Sequence, residues 1–164
     1  MSVEMKKYKL GDIAEYVATK VSTSKIALSE YVTTDCILPN KSGRECAVNL
    51  PPKDTNVTAF LPEDILVANI RPYLKKIWFA DDKGGASSDV LTIRAKVGFD
   101  KTYLYYVLLQ DSFFDYVMKG TKGSKMPRGD KSQIMDFELV APSDLSTQQK
   151  IASVLSALDS KIAL

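Results

Sequence analysis

Three short apolar runs, separated by brief connections, restrict the folds open to this chain more than any other feature. They are DILVANI at residues 64–70, KKIWFA at 75–80 and SSDVLTIRAK at 87–96. Each run is rich in β-branched or aromatic side chains, and the third alternates between apolar and more polar positions. Because the connections RPYL and DDKGG are short, consecutive strands are expected to lie side by side. The sequence therefore predicts a twisted sheet that is antiparallel or mixed.

Helices are predicted on both sides of these strands in the sequence. Residues 100–120, DKTYLYYVLLQDSFFDYVMKG, predict one helix with Asp100 as its N-cap and Gly120 as its C-cap. Residues 8–17, YKLGDIAEYV, predict a short apolar segment and then a helix that starts near Gly11. A sheet with helices at its periphery indicates the α+β class.

The remaining segments predict further strands and loops. Residues 31–34 and 133–142 favour strands, whereas 49–64 is broken by prolines and is expected to cross the surface in extended form. A chain of 164 residues has room for one compact domain. We place that domain at residues 1–145.

The last segment, 146–164, predicts a helix with an apolar seam. Ser146 and Gln149 have the spacing of a capping box. The seam follows the spacing of a coiled coil and comprises Ile151, Leu155, Leu158 and Ile162. Because the pattern is still running where the chain stops, we expect a partner helix or a longer parent chain. The alternative is an ordinary terminal helix packed on its own domain.

The composition excludes several classes of function. The sequence has no histidine, which excludes a Ser-His-Asp or Cys-His hydrolase within this chain. Its two cysteines, Cys36 and Cys46, are too few for a disulfide scaffold or a metal cluster, and they favour two free thiols. No run of about 18 apolar residues and no signal peptide is apparent, so we expect a cytoplasmic protein without a membrane span.

Two motifs resemble catalytic or nucleotide-binding sequences but do not match them. NLPPK at 49–53 resembles the Asn-Pro-Pro-aromatic loop of amino-methyltransferases, but Leu50 interrupts the motif and Lys53 replaces the aromatic ring. GTKGSK at 120–125 follows a predicted helix rather than a strand and does not fit a phosphate-binding P-loop. We therefore predict no catalytic residue, no metal ligand and no bound cofactor.

The strongest candidate for a binding site is the segment 118–134, MKGTKGSKMPRGDKSQI. It contains a single acid, Asp130, and three glycines among five basic residues, Lys119, Lys122, Lys125, Arg128 and Lys131. Lysines neutralise phosphates without sequence preference, and an arginine can donate two hydrogen bonds to guanine. Because the whole chain is nearly neutral, with 22 basic and 20 acidic residues, only the local clustering of charge argues for nucleic acid. The alternative is a merely soluble surface.

A second set of basic residues extends this positive surface if the fold gathers them. Its members are Lys20, Lys25, Lys41, Arg44, Arg71, Lys75 and Lys76. A rival interpretation starts from the aromatic residues of the 100–120 segment, because rings beside a basic loop are also how single strands are held. These rings are Tyr103, Tyr105, Tyr106, Phe113, Phe114 and Tyr116, and core packing is the alternative for them.

Several phrases, taken in order, resemble one family, the specificity (S) subunit of type I restriction-modification systems. They are YKLGDIAEYV, YVTTDCILPNKSG, LPEDILVANIRPYLKKIWFADDKGGASSDVLTIRAK and QIMDFELVAPSDLSTQQKIASVLSALDSKI. The last is similar to the passage with which that family begins its conserved spacer helix. The resemblance implies a target recognition domain at 1–145 and the start of the spacer helix at 146–164.

The resemblance also implies a function. The family's specificity subunit is a non-catalytic reader of duplex DNA that usually holds two recognition domains, each reading half of a split site. Two modification subunits bind S-adenosylmethionine and methylate adenine, and a separate motor subunit cuts the DNA. This chain departs from that plan because it has one recognition domain and the start of one spacer helix. We expect a truncated subunit, or a half-subunit that pairs with another copy.

Residue roles follow from the same resemblance. We expect Lys119, Lys122, Lys125 and Lys131 to bind phosphates and Arg128 to read a base. Arg71, Lys75 and Lys76 form the second expected cluster, and Ser87 and Ser88 are weaker candidates. Two alternatives remain, a methyltransferase or nuclease fragment and an assembly domain that acts through its terminal helix.

Overall fold

The computed structural model describes residues 3–51 and 54–162 of the chain. In this part the strands are β1 (Met5–Lys9), β2 (Ala14–Tyr16), β3 (Lys20–Ser22), β4 (Tyr31–Val32), β5 (Asn56–Phe60), β6 (Ile65–Ala68), β7 (Ile77–Phe79), β8 (Gly84–Ala86), β9 (Val90–Ala95) and β10 (Glu138–Pro142). The α-helices are α1 (Leu10–Ile13), α2 (Lys101–Leu108), α3 (Asp111–Lys119), α4 (Lys131–Met135) and α5 (Leu145–Ile162).

The strands form three sheets. The central sheet has the order β2-β9-β6-β7 with every pair antiparallel, and it contains the three strands that the opening runs predicted. A second sheet has the order β3-β5-β8-β4, in which only β4 and β8 run parallel. β1 and β10 form a separate antiparallel pair. The fold is therefore a mixed α+β architecture, as predicted.

The central sheet is buried on both faces. In β6, Ile65 and Val67 face a core that α2 and α3 cover, while Leu66 faces a second core shared with Phe60 of β5. Because side chains alternate across a strand, one run of apolar residues supplies both cores. The sheet is thus a rigid middle layer that fixes the position of the loops at its ends.

A buried ion pair ties β9 to the turn before β6. Asp64 is 2% exposed, and its two carboxylate oxygens accept hydrogen bonds from Nε and Nη2 of Arg94, each at 2.8 Å. Asp64 also accepts a hydrogen bond of 2.8 Å from the backbone N–H of Leu61. This contact raises the pKa of Arg94, since the hydrogen bonds to Asp64 favour the charged guanidinium.

The prediction of one helix at 100–120 was wrong, because the chain breaks into α2 and α3 around Leu109 and Gln110. Both ends were predicted correctly, since Asp100 caps α2 and Gly120 follows α3. A continuous helix that buried Leu104 would turn Phe113 away from the core. The break turns α3 so that Phe113 is fully buried.

Two other predicted helix and strand assignments need correction. The helix predicted from Gly11 ends at Ile13, and the chain continues as strand β2. The strand predicted at 133–142 is helical in its first part, because Asp130 accepts hydrogen bonds from the N–H groups of Ser132 and Gln133 and starts α4. The strand itself begins at Glu138.

The turn predicted at DDKGG and the surface segment predicted at 49–64 both contain strands, β8 and β5, which pair with each other. At Gly84 an added Cβ would lie 2.1 Å from the carbonyl oxygen of Glu30 and 2.6 Å from the Phe60 ring. Glycine is required there because the neighbouring backbone approaches so closely. A tertiary contact, rather than turn formation, explains this glycine.

The terminal helix α5 packs against α2 through polar and small residues. Gln148 is buried and accepts a hydrogen bond of 2.8 Å from the N–H of Asp100, and Ala152 is 2% exposed. The Tyr106 hydroxyl donates to Asp159 at 2.7 Å. The helix is capped by Asp144, which accepts from the N–H of Thr147, rather than by the predicted Ser146.

Part of the predicted seam lies next to the face of α5 that packs against α2. Ile151 and Leu155 line a groove against α2 together with Tyr103 and Tyr106, while Leu158 is 50% exposed. The side chain of Ile162 lies outside the described residues. A partner helix on this seam stays a prediction. No helix in the described ranges has both the length and the apolar content needed to cross a bilayer.

Candidate nucleic-acid interface

The two basic segments that the sequence separates by about fifty positions meet in the structure. The β6–β7 connection (69–76) pairs with the loop 120–130, because the N–H of Arg71 donates to the carbonyl of Pro127 at 2.8 Å. Within the loop, Arg128 and Lys122 exchange backbone hydrogen bonds of 3.0 and 3.1 Å. Arg128 is therefore held on both sides by short β-bridges, to Ile70 and to Lys122.

Asn69 clamps the base of the basic loop. Its side-chain amide donates to the carbonyl of Gly129 at 3.2 Å, and its Oδ1 accepts from the N–H of Gly129 at 3.1 Å. An added Cβ at Gly129 would lie 2.6 Å from that oxygen, so the clamp requires glycine. Sequence reasoning missed Asn69, since an asparagine at the end of a strand carries no signal of its distant partner.

A third segment, 38–44, joins the same surface. The N–H groups of Asn40 and Lys41 donate to the carbonyls of Leu74 and Lys75, both at 2.8 Å. Asn40, Lys41, Arg71 and Lys75 all have left-handed φ angles between 53° and 59°. This backbone conformation is uncommon for residues other than glycine and concentrates at functional sites.

The turn between β8 and β9 is the fourth segment. The carbonyl of Asp89 accepts a hydrogen bond from the N–H of Asn69 at 2.9 Å, and Oδ1 of Asp89 lies 2.9 Å from Nη1 of Arg128. The weaker candidates Ser87 and Ser88 therefore lie in the turn that contacts the basic loop, and Ser88 is exposed.

The predicted basic residues fall into three groups by their partners. Lys119, Lys122, Lys125 and Arg71 are exposed and form no salt bridge with any residue that the structure describes. Such cations are available to phosphates without first breaking an internal pair.

A second group is paired with an acid. Nζ of Lys41 and Nζ of Lys75 both contact Oδ1 of Asp111, at 2.7 and 2.9 Å. The two ammonium groups lower the pKa of Asp111 to about 2 by hydrogen bonding and by charge. Asp111 is therefore ionised at every pH at which DNA binding is ordinarily measured, and it offsets one of the two positive charges.

The last group has structural contacts. Lys76 donates to the carbonyl of Thr34 at 3.0 Å, and the Lys131 ammonium lies 4.9 Å from the centre of the Tyr16 ring. Arg44, which the sequence offered as an extension of the surface, lies 4.4 Å over the Trp78 ring and donates to the carbonyl of Ser29. These three side chains therefore make contacts within the domain that stabilise the fold.

Two apolar side chains project from the basic surface. Tyr73 in the β6–β7 connection is 50% exposed, and Met126 in the basic loop is 49% exposed. Apolar groups beside cations suit contacts with thymine methyl groups or with unstacked base steps. Neither residue carries a sequence signal that would have singled it out.

The aromatic residues of α2 and α3 are mostly engaged within the protein. Phe113 and Phe114 are buried, and the Tyr105 ring stacks on Phe79 with centroids 4.8 Å apart. The Tyr116 hydroxyl donates to the carbonyl of Gln133 at 2.7 Å. Core packing therefore accounts for these rings better than a stacking platform for single strands.

Replacing Asp111 by asparagine is expected to raise the affinity for duplex DNA at low salt by about 3–10-fold, because Lys41 and Lys75 would lose their internal counter-charge. Titration of a labelled duplex at two salt concentrations measures this. The matched control is Asp115→Asn, which removes the same charge from an exposed position of α3 that pairs with no lysine in the described structure. An equal gain in both variants would refute a specific role for the pair.

Comparison with known proteins is consistent with this geometry. Residues 2–164 match the family described as "Type I restriction modification DNA specificity domain". No curated protein sequence matches the chain. The solved structures that share its fold include three at low sequence identity, and the chain spans less than half of the length of each of these.

The S subunit of a type I restriction-modification system from M. genitalium is 15% identical with a TM-score of 0.65, over 98% of this chain and 40% of that one. The HsdS subunit from Thermoanaerobacter tengcongensis is 18% identical with a TM-score of 0.70, over 97% and 43%. A chain from a structural study of complex assembly and conformational transition in the type I system is 13% identical with a TM-score of 0.63, over 97% and 39%.

Proposed function

Because the chain belongs to the family of type I restriction-modification DNA specificity domains, we propose that it reads one half of a bipartite site in duplex DNA. The observation that carries this proposal is the convergence of four segments, 38–44, 69–76, 87–89 and 120–130, on one basic surface. Methylation and cleavage then belong to partner subunits, and this chain supplies sequence recognition in the cytoplasm without catalysing a reaction.

The exposed cations supply affinity. Lys122, Lys125 and Arg71 lie on the loop and the connection that pair with each other, and Lys119 ends the helix that leads into the loop. Phosphate contacts of this kind fix the orientation of a protein on DNA and carry no sequence information. Lys41 and Lys75 join them when a phosphate competes with Asp111.

Arg128 supplies sequence preference. A guanidinium offers five N–H donors in a planar fork, which fits O6 and N7 of guanine in the major groove. The backbone of Arg128 is held on both sides, so the side chain starts from a fixed position. Tyr73, Met126 and Ser88 are secondary base contacts on the same surface.

The partners follow from the family. The modification subunits carry S-adenosylmethionine and methylate adenine, and the motor subunit joins through the complex. The exposed side of α5, with Val154 60% and Leu158 50% exposed, fits a second spacer helix from the same parent chain or from another copy. Within residues 3–51 and 54–162 no group of His, Cys, Asp and Glu side chains could hold a metal ion.

The proposal is tested by selecting duplexes from a random pool on the purified chain, alone and with the modification subunit, beside single-stranded DNA and RNA pools. Enrichment of one short duplex motif is expected. Enrichment from the single-stranded pools alone would refute duplex reading. A folded chain that binds none of the pools, with or without the modification subunit, would favour an assembly domain that acts through α5.

A phosphate-binding role for the exposed lysines predicts a uniform loss of affinity. Lys125→Ala is expected to weaken binding to all duplexes alike and to reduce the slope of log K against log salt by about one unit. Titrations across a salt series measure the slope. The control is Lys7→Ala on β1, whose ammonium pairs with Glu138 at 3.0 Å and should leave the slope unchanged.

A further inference from the structure

Asp89 is an acid on a surface that must approach phosphates. The side chain of Asp89 is 37% exposed. Its negative charge repels DNA phosphates at short distances, where salt does not screen the repulsion. An acid in such a place lowers general affinity, so its presence requires another effect that compensates for the loss. The Asp89 carboxylate contacts Arg128, the proposed base-reading residue, with 2.9 Å between Oδ1 and Nη1.

The turn that carries Asp89 is fixed to the sheets. The N–H of Ser87 donates to the carbonyl of Val32 in β4 at 2.9 Å, and the N–H of Val90 donates to the carbonyl of Ser87 at 3.0 Å. The carbonyl of Asp89 itself accepts from the N–H of Asn69. The backbone that carries the Asp89 carboxylate is therefore held by the framework of the domain rather than by the basic loop.

The backbone of Arg128 is held more firmly than residues 123–126 of the same loop. The loop contains Gly123 with a φ of 94° and is exposed from residue 122 to 126, yet the backbone of Arg128 is pinned by two bridges and its guanidinium by Asp89. The side chain of Arg128 remains 57% exposed, so it is accessible to a ligand. Asp89 contacts one nitrogen of the guanidinium, Nη1, and leaves the other two nitrogens for a base.

We propose that Asp89 is a positioning residue that sets the sequence preference of this domain by holding Arg128 in the orientation that reads a guanine. This inference rests on the proposed function. An arginine held in one rotamer loses less side-chain entropy on binding and tolerates a displaced base less well than a mobile one. Asp89 thus lowers affinity for unrelated DNA and raises discrimination between sequences.

The test compares affinity for the selected motif with affinity for the same duplex carrying a substitution at the guanine. Asp89→Ala is expected to reduce this ratio about tenfold, with unchanged or tighter binding to unrelated duplexes. Asp111→Asn is the matched control, because it removes a charge from the same surface without touching Arg128. It should tighten binding to both duplexes equally.

A second measurement separates positioning from a general structural role. In an Arg128→Ala background, Asp89→Ala should leave the ratio unchanged, since no guanidinium is there to be held. A ratio that falls equally in both backgrounds, or that does not fall in the Arg128 background, overturns the inference while leaving the proposed function intact. A wild-type chain without any duplex preference, alone or with the modification subunit, overturns the proposed function and this inference with it.

Discussion

Arg128→Ala is expected to weaken binding to the cognate half-site by about 1–3 kcal/mol and to relax one base position. Binding to unrelated duplexes should change far less, because the positive charge of Arg128 is already offset by Asp89 at 2.9 Å. The loss comes from hydrogen bonds to a base edge, which unrelated duplexes do not offer in the same place. Competition binding with single-position variants of the selected motif measures both quantities.

Arg128→Lys is the matched control, since it keeps the charge and loses the planar fork. It should retain binding to unrelated duplexes and lose most of the discrimination. An Arg128→Ala chain that keeps its full sequence preference would show that another residue reads the base. Tyr73, Met126 and Ser88 would then be the next residues to replace.

Asp64→Ala is expected to lower the free energy of unfolding by about 3 kcal/mol, because it leaves the guanidinium of Arg94 and the N–H of Leu61 without their acceptor. This loss of stability is at the low end of the range for breaking a buried ion pair, since the side chain of Arg94 is 29% exposed and water can reach it. Urea unfolding monitored by tryptophan fluorescence measures the change through the midpoint at constant slope.

Asp81→Ala is the control for this experiment. Asp81 is exposed on the turn after β7, so its loss should change the free energy of unfolding by less than about 0.5 kcal/mol. Equal stability of Asp64→Ala and wild type would mean that the ion pair contributes nothing beyond its own desolvation cost. Replacing both Asp64 and Arg94 by apolar residues would then be neutral as well.

The central sheet could be predicted because the signals for its strands come from residues that are close together in the sequence. The apolar, β-branched composition of β6, the alternation in β9 and the short connection between β6 and β7 are properties of neighbouring residues. Gly84 was misread as part of a turn, since the contact that requires it comes from Glu30, far away in the sequence. The break before α3 escaped prediction for a related reason: both halves have good helical composition, and only burial of Phe113 decides between one helix and two.

The basic character of the candidate site could be predicted from the sequence, but the arrangement of its residues could not. Clusters of lysine and arginine are visible in a sequence, whereas their acidic partners are not. Asp111 and Asp89 reach the cationic surface from other elements, α3 and the turn before β9. Which cations are exposed and which are paired therefore depends on the tertiary structure, and the three groups of basic residues could not be separated beforehand.

The loops of the candidate interface are joined mainly through their main chains. The contacts of Arg71 with Pro127, Lys41 with Lys75 and Lys122 with Arg128 are all backbone hydrogen bonds, whose donors and acceptors do not depend on the side chain. The clamp of Asn69 on Gly129, by contrast, demands particular residues. Point substitutions at the exposed positions can therefore change the target sequence while the frame persists, so new specificities are accessible to evolution, and to protein engineering, without a search for a new fold.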